Sequence, residues 1–311
     1  MASQHDIRNL VGRDRVRALS ARRDGPGLAF LAGHAALLAL GAAWIWAWQG
    51  SVAMALPLVL HGIVIVHLFA PFHETSHGSA FASRRLNASV EFLSGLALGL
   101  PPTHFRFEHA EHHAHTQIPG RDPEMITTAE TLRGYLVYAS AAPYFRSLMS
   151  TLVRLPFGHF TDEELRFLPP VRRSEARRET LIMWLLYGAI ALASVATGSL
   201  AALTYWLMPR VLGEPVMRLI RMSEHVGRPQ VADWLRNTRS VRCPAPLRWL
   251  GWNMALHAEH HAVPSVPFHA LPRLHAILAP HLDDVRPGYL VTQAHLIQRA
   301  RAMAAIQEQR P

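Results

Sequence analysis

Nine of the chain's 20 histidines fall into spacings that suit metal ligation. His73 and His77 are spaced HxxxH. The pentapeptide HAEHH occurs twice, placing His109, His112 and His113 in one HxxHH cluster and His257, His260 and His261 in another; His225 stands alone in SEHVG. On a helix, positions i, i+3 and i+4 share a face, so each cluster can aim two or three imidazoles at one point. Imidazole suits iron, copper, zinc and nickel, and these clusters hold more nitrogens than one ion can take. Two ions fit the supply. The repeated pentapeptide is therefore expected to form two walls of one binuclear site. Glu111 and Glu259, at i+2 within each copy, turn off the shared face and are expected to support the ligands or face the surface, as is Glu74. His115 reads as a residue beside the ligands or facing substrate. The isolated His5, His34, His159, His281 and His295 read as ordinary core or surface residues.

The elements that must position these side chains are membrane helices. The chain has 311 residues, half of them hydrophobic and 17% charged, and its charge is unevenly spread. No Asp, Glu, Lys or Arg occurs in residues 25–72 or 180–209. One crossing needs about 20 apolar residues. The first run therefore predicts two spans, Leu28–Trp48 and Ser51–Pro71, turning at Gln49-Gly50. No cleaved signal peptide is expected, because the apolar stretch starts late and lacks a cleavage site. The second run is one long span or two short ones folded at Thr197-Gly198-Ser199. If it crossed once, the last HAEHH would lie across a membrane about 30 Å thick from His73 and His77. Two crossings, Thr180–Ala196 and Ser199–Val216, put every cluster on one side, with Arg210 expected to snorkel to the interface.

All 31 basic residues are arginine. They form three blocks, before the first span, between Arg84 and Arg178, and from Arg210 onward, which the positive-inside rule places in the cytoplasm. The formal net charge of +9 then describes a membrane-facing and cytoplasmic surface, and no nucleic-acid partner is expected. The lone Cys243 excludes an internal disulfide or a cysteine-based metal cluster. Residues 1–24 read as a cytoplasmic arm, 25–285 as the membrane domain and 286–311 as a tail. Leu132–Leu155 is apolar but carries Arg133, Arg146 and Arg154, which suits a helix lying at the interface. The fold class expected is all-α and integral to the membrane, with about four transmembrane helices.

With HxxxH, HxxHHxHT and a late HxxHH in order and membrane spans between them, residues 50 to 280 resemble the membrane fatty acid desaturase family. The resemblance implies four spanning helices under a cytoplasmic helical cap that holds a di-iron site. Position by position it assigns the two irons to His73, His77, His109, His112, His113, His257, His260 and His261, and His225 is similar to an additional ligand. Related enzymes use an asparagine near the metals through a water, for which Asn237 and Asn253 both qualify.

The reaction implied is O₂-dependent oxidation of an unactivated C–H bond in an aliphatic, acyl-lipid chain. Desaturation is the first expectation, with hydroxylation or ketolation of a hydrocarbon, carotenoid or small molecule as the alternative. Iron is inferred because O₂ activation needs a redox ion. No cytochrome, ferredoxin or flavin motif is recognisable, so electrons are expected from a separate ferredoxin, rubredoxin or cytochrome-type donor with its reductase. Arg172, Arg173, Arg177 and Arg178 could attract an acidic donor. The location expected is a bacterial inner membrane, with both termini and the metal site cytoplasmic. A metal transporter would instead place ligands in mid-span; His34, His61 and His67 lie inside the apolar runs but form no cluster.

Overall fold

The computed structural model describes residues 4–308, which are mostly helical; the ends of the expected arm and tail, residues 1–3 and 309–311, lie outside the described residues. Two short helices, α1 (Gln4–Val11) and α2 (Arg13–Leu19), lead into α3 (Asp24–Ala47). The chain turns at Gly50, where φ is 78° and a side chain would be strained. It then rises through α4 (Ala55–Val66) and α5 (Phe69–Ser76), together one apolar path from Val52 to Ser76. Pro71 has no N–H to give the His67 carbonyl, which accepts from Ala70 N at 3.0 Å instead. The helix loosens there and resumes. The expected end at Pro71 is therefore too early, and His73 rides on the helix itself.

A hairpin follows, made of α6 (Arg84–Leu98) and α7 (Pro102–His115) and turned by Gly99 at φ 82°. The last carbonyls of a helix have no partner within it. In α6 all four are satisfied. Leu100 N donates to Gly95 O at 2.8 Å, Tyr187 Oη to Leu96 O at 2.6 Å, Trp206 Nε1 to Ala97 O at 2.7 Å, and Arg210 Nη2 to Leu98 O at 3.4 Å. The apolar stretch expected as one interfacial helix is two, α8 (Leu132–Ala139) and α9 (Ala142–Arg154), broken where Ala141 adopts φ 63°. The short α10 (Asp162–Phe167) opens on a capping box between Thr161 and Glu164.

Then α11 (Pro170–Thr197) ends at Gly198, φ 63°, at the expected turn. Helix resumes at residue 201, widens into a π-turn over Leu203–Leu207 and continues as α12 (Met208–His225). Among the described residues, three helices are long and apolar enough to cross a membrane: Asp24–Ala47, Val52–Ser76 and Pro170–Thr197. The upper part of α12 is too charged to count with them. Arg210 does not snorkel as expected. It is buried, paired with Glu214 and donating to Tyr144 Oη at 2.9 Å, because a carboxylate one helical turn away satisfies the guanidinium without water. Helix α12 lies along α4 so closely that a Cβ at either Gly62 or Gly213 would collide with the other backbone.

The rest is compact: α13 (Trp234–Asn237), α14 (Ala245–Leu250), α15 (His257–Ala262), α16 (Leu271–Leu278) and α17 (Tyr289–Glu308), with strand β1 (Ser240–Val241) parallel to β2 (Val285–Arg286). Ile7, Val11 and Leu19 of the arm are buried against Leu256, Leu271 and Leu274, so the arm clamps the end of the molecule that carries α15. Burying each such side chain contributes about 1.5–3 kcal/mol.

Candidate metal centre

Nine histidines converge where α5, α7, α12 and α15 meet. One nitrogen from each of His73, His77, His109, His113 and His260 lies within 4.8 Å of the others, and His112, His225, His257 and His261 form a second group by the same measure. Each pentapeptide is shared between the groups, and the sharing is reciprocal. His109 and His113 join the first group and His112 the second, whereas His257 and His261 join the second and His260 the first. The two copies thus face each other as two walls, as their spacing predicts.

Hydrogen bonds on the outer nitrogens decide which inner nitrogens are bare. His112 Nδ1 lies 2.7 Å from Asp122 and His109 Nδ1 2.7 Å from Glu124. Carboxylates accept, so in both rings Nδ1 carries the proton and Nε2 presents a lone pair. His225 Nδ1 points at Asn237 O, 3.4 Å away. Thr116 Oγ1 donates to His112 O at 2.7 Å and so can only accept from His261 Nδ1 at 3.1 Å. The inner Nε2 atoms crowd together: His109 to His113 at 3.0 Å, His113 to His260 at 3.1 Å, His225 to His257 at 3.2 Å and His257 to His261 at 3.1 Å.

The donor set fits metal. Imidazole nitrogens hold an ion such as zinc at about 2.0–2.1 Å, so two at a right angle stand about 3 Å apart. Both ring nitrogens of His73, and Nε2 of His77 and His112, are buried with no protein partner, an expensive arrangement unless something else binds them. Burial first, and the neighbouring imidazoles next, hold His109, His113, His257, His260 and His261 well below the ordinary histidine value. Burial, His112 and Arg221 do the same to His225. These rings are neutral and able to ligate. His112 is raised, because Glu124 and Asp122 outweigh its burial.

The supporting carboxylates were not assigned from sequence. Asp122 also accepts from Gln117 N at 2.8 Å and Glu124 N at 2.9 Å, which folds the loop after α7 back onto the histidines. Arg221 bridges Glu124 and Glu224. The acidic pair in GRDPE, just beyond HxxHHxHT, was the available signal. Of the two asparagines, Asn237 spends its amide on Thr116 O at 3.0 Å and Val231 O at 2.9 Å, and Asn253 donates to Phe268 O at 3.0 Å. His115 turns outward to Glu111 at 3.1 Å and Arg121 at 2.8 Å. Glu259 is buried between Ser240 and His275. Glu74 accepts from Ser79 Oγ at 3.0 Å and Phe268 N at 3.1 Å.

A cavity of about 390 Å³ reaches His73 and His257 from between α4, α12 and α17. Ile63, Val216, Met217, Ile220, Leu247 and Met254 make its wall largely hydrocarbon. A larger apolar cavity of about 650 Å³, between α9, α11 and the π-turn, touches none of the nine histidines.

Helices of membrane length, paired histidine donor groups and an apolar cavity running into them are compatible with a metal site in a membrane-associated protein. A model of the fatty acid desaturase family matches residues 50–293. The chain belongs to that family. It is 29% identical over 250 residues to the sphingolipid delta(4)-desaturase/C4-monooxygenase of Rattus norvegicus, covering 79% of this chain and 68% of that protein. The Homo sapiens protein of the same description is 28% identical over 248 residues, 78% of this chain and 67% of its own length. A chloroplastic omega-6 fatty acid desaturase of Spinacia oleracea is 25% identical over 249 residues, 73% of this chain and 51% of the relative. The chain is accordingly an oxidoreductase of lipid metabolism.

Proposed function

We propose that this protein oxidises an unactivated C–H bond in the aliphatic chain of a lipid, using dioxygen and two iron ions, with desaturation as the principal outcome. The observation that carries the reading is the reciprocal sharing of both pentapeptides between two donor groups beside an apolar cavity. His73, His77, His109, His113 and His260 would hold one ion, and His112, His225, His257 and His261 the other. Iron bound there supplies the redox chemistry for reducing dioxygen and oxidising the chain. The protein's own groups do the rest. Asp122 and Glu124 fix the tautomers and ring orientations of His112 and His109, a common device for holding metal-bound imidazoles. Arg221 holds Glu124 in place. The hydrocarbon wall excludes water and seats the lipid chain against His73 and His257. Hydroxylation is the second reading, favoured by the C4-monooxygenase activity in the description of two of these relatives.

The four-span topology belongs to the same reading. Helix α12 runs alongside α4, and both ends are tied: His61 Nε2 meets Tyr205 O at 3.0 Å, and His225 and His73 reach one centre. This supports a fourth crossing by residues 201–216, with the metal centre and arginine blocks in a cytoplasmic cap. Electrons would come from a separate donor. The arginines expected to attract it are partly engaged at home: Arg172 pairs with Glu175 at 2.7 Å, Arg173 donates to Leu168 O at 3.2 Å, and Arg177 to Pro156 O at 3.4 Å.

Metal analysis of purified protein should return about two irons per chain. Expression with a ferredoxin and its reductase should yield lipids lighter by two hydrogens, or heavier by one oxygen for the second reading. One zinc and no iron would sink the proposal.

A further inference from the structure

Residues 237–240 read Asn-Thr-Arg-Ser, types that usually face water. All four are buried here. Burying polar groups costs free energy unless each finds a partner, and each of these side chains does. Asn237 donates through Nδ2 to Thr116 O at 3.0 Å and Val231 O at 2.9 Å, and its Oδ1 accepts from Thr238 Oγ1 at 2.8 Å. Arg239 gives Nη1 to Ser223 O at 2.8 Å, Nη2 to Val226 O at 3.2 Å and Nε to Asp284 at 2.8 Å. Its backbone N–H donates to Glu224 O at 2.8 Å. Ser240 Oγ accepts from Ala258 N at 3.0 Å and donates to Glu259. These partners lie on three of the elements that bring the histidines together. Ser223, Glu224 and Val226 flank His225 at the end of α12, where helix carbonyls need outside donors. Ala258 follows His257 in the first turn of α15, where amides need outside acceptors. Thr116 closes α7, and its hydroxyl accepts from His261 Nδ1.

We infer that Asn237, Thr238, Arg239 and Ser240 form a positioning segment for one of the two donor groups, that of His112, His225, His257 and His261. This rests on the two-ion reading above and deepens it: separate polar networks hold the two ion positions. Asn237 O faces His225 Nδ1, and the Asn237 amide holds Thr116, whose hydroxyl aims His261. The segment therefore directs the outer nitrogens of two rings in the second group. Among the described residues, none of its side chains bonds to a histidine of the first group. Arg239 carries most of the selectivity. Helix α12 bears His225 and none of the other eight histidines, and the Arg239 guanidinium grips a carbonyl on each side of that residue. A looser grip lets the His225 ring swing away from His257 and His261, while His73, His77, His109, His113 and His260 stay where they are.

The test is metal binding, which needs neither electrons nor turnover. The full-length protein in detergent, stripped with a chelator, is titrated with Co(II) alone, whose visible absorption reports each ion bound. Arg239→Lys keeps a charge beside Asp284 but lacks the fork that reaches both carbonyls. It should weaken one of the two ions about 10–100-fold, the usual cost of losing a group that orients ligands, and leave the other unchanged. His225→Ala should weaken the same ion. Adding Arg239→Lys to His225→Ala should do nothing further, because a residue that acts through His225 has nothing left to aim. On His77→Ala, which weakens the other ion, the full effect of Arg239→Lys should persist. Thr238→Val has nearly the shape of threonine, unfastens Asn237 Oδ1 and should weaken that same ion; it decides the matter if Arg239→Lys does not fold. Equal weakening of both ions overturns the inference, as does a full additional loss on His225→Ala or no effect from either variant. A parent protein that binds fewer than two Co(II) ions removes the two-ion reading, and the inference with it.

Discussion

The first HAEHH closes a 14-residue helix, α7, and the second makes up most of a six-residue helix, α15. The same five residues meet opposite surroundings. In the first copy Glu111 is partly exposed and pairs with His115 and Arg121; in the second Glu259 is fully buried between Ser240 and His275. The outer nitrogens differ too. Carboxylates hold His109 and His112, whereas His261 has the neutral Thr116, His257 Nδ1 has no partner, and Glu74 stands 3.8 Å from His260 Nδ1. What the copies share is only the inward face. Spacing sets which histidines face inward, and the surrounding fold decides how firmly they are held.

The largest expected effect treats the copies as equals. His112→Ala and His260→Ala each remove one donor, from different copies and different groups, so both should abolish activity and lower iron content. A variant that kept full iron and activity would show that its copy is not a wall of the site. Next comes the difference in support. Asp122→Asn should cost about 10–100-fold in iron affinity or activity, and Thr116→Val distinctly less, since a neutral acceptor is lost. If the order is reversed, the carboxylates are not what holds the first copy. Third, Glu259→Gln should lower stability by about 1–3 kcal/mol, because a buried acceptor for Ser240 and His275 is lost, whereas Glu111→Gln should stay within about 0.5 kcal/mol. Thermal melts in detergent separate the two.

The smallest effect asks whether the first copy's helix is anchored away from the metals. Near the start of α7, His104 Nε2 lies 3.1 Å from Glu164, which also takes two hydrogen bonds from Arg154. Burial alone would lower His104, but Glu164 and Glu108 outweigh it and leave it raised. Burial would raise Glu164, but His104, Arg154 and the Thr161 amide hold it far below the usual carboxylate range. The raised histidine stabilises at low pH and stops doing so as pH rises through its folded value. The depressed carboxylate stabilises above its ordinary value and stops as pH falls. Protection of the α10 amides from hydrogen exchange should therefore peak at roughly pH 5–6. In His104→Gln the loss on the alkaline side should vanish. Protection that climbs steadily through neutral pH would mean the pair does not anchor α7.

Much of the histidine cluster could be read directly from the chain, because side-chain spacing on a helix is a local property. His73, His77 and both HxxHH clusters needed only the i, i+3, i+4 rule, and the turns at Gly50 and Gly198 only glycine at the ends of apolar runs. The carboxylates behind the histidines were hidden, since Asp122 and Glu124 reach them only after the loop beyond α7 folds back. Arg210 misled for a related reason. A lone arginine next to an apolar run looks like an interfacial anchor, yet Glu214 and Tyr144, one near and one distant in sequence, allow it to be buried.

The end of α6 sets an order of events during synthesis. Its carbonyls at Leu96, Ala97 and Leu98 are answered by Tyr187, Trp206 and Arg210, which lie 91, 109 and 112 positions later in the chain. Until those residues leave the ribosome, the hairpin that carries the first HAEHH cannot be sealed, however complete its own helices are. The second HAEHH is made later still. The nine histidines can therefore converge only near the end of translation.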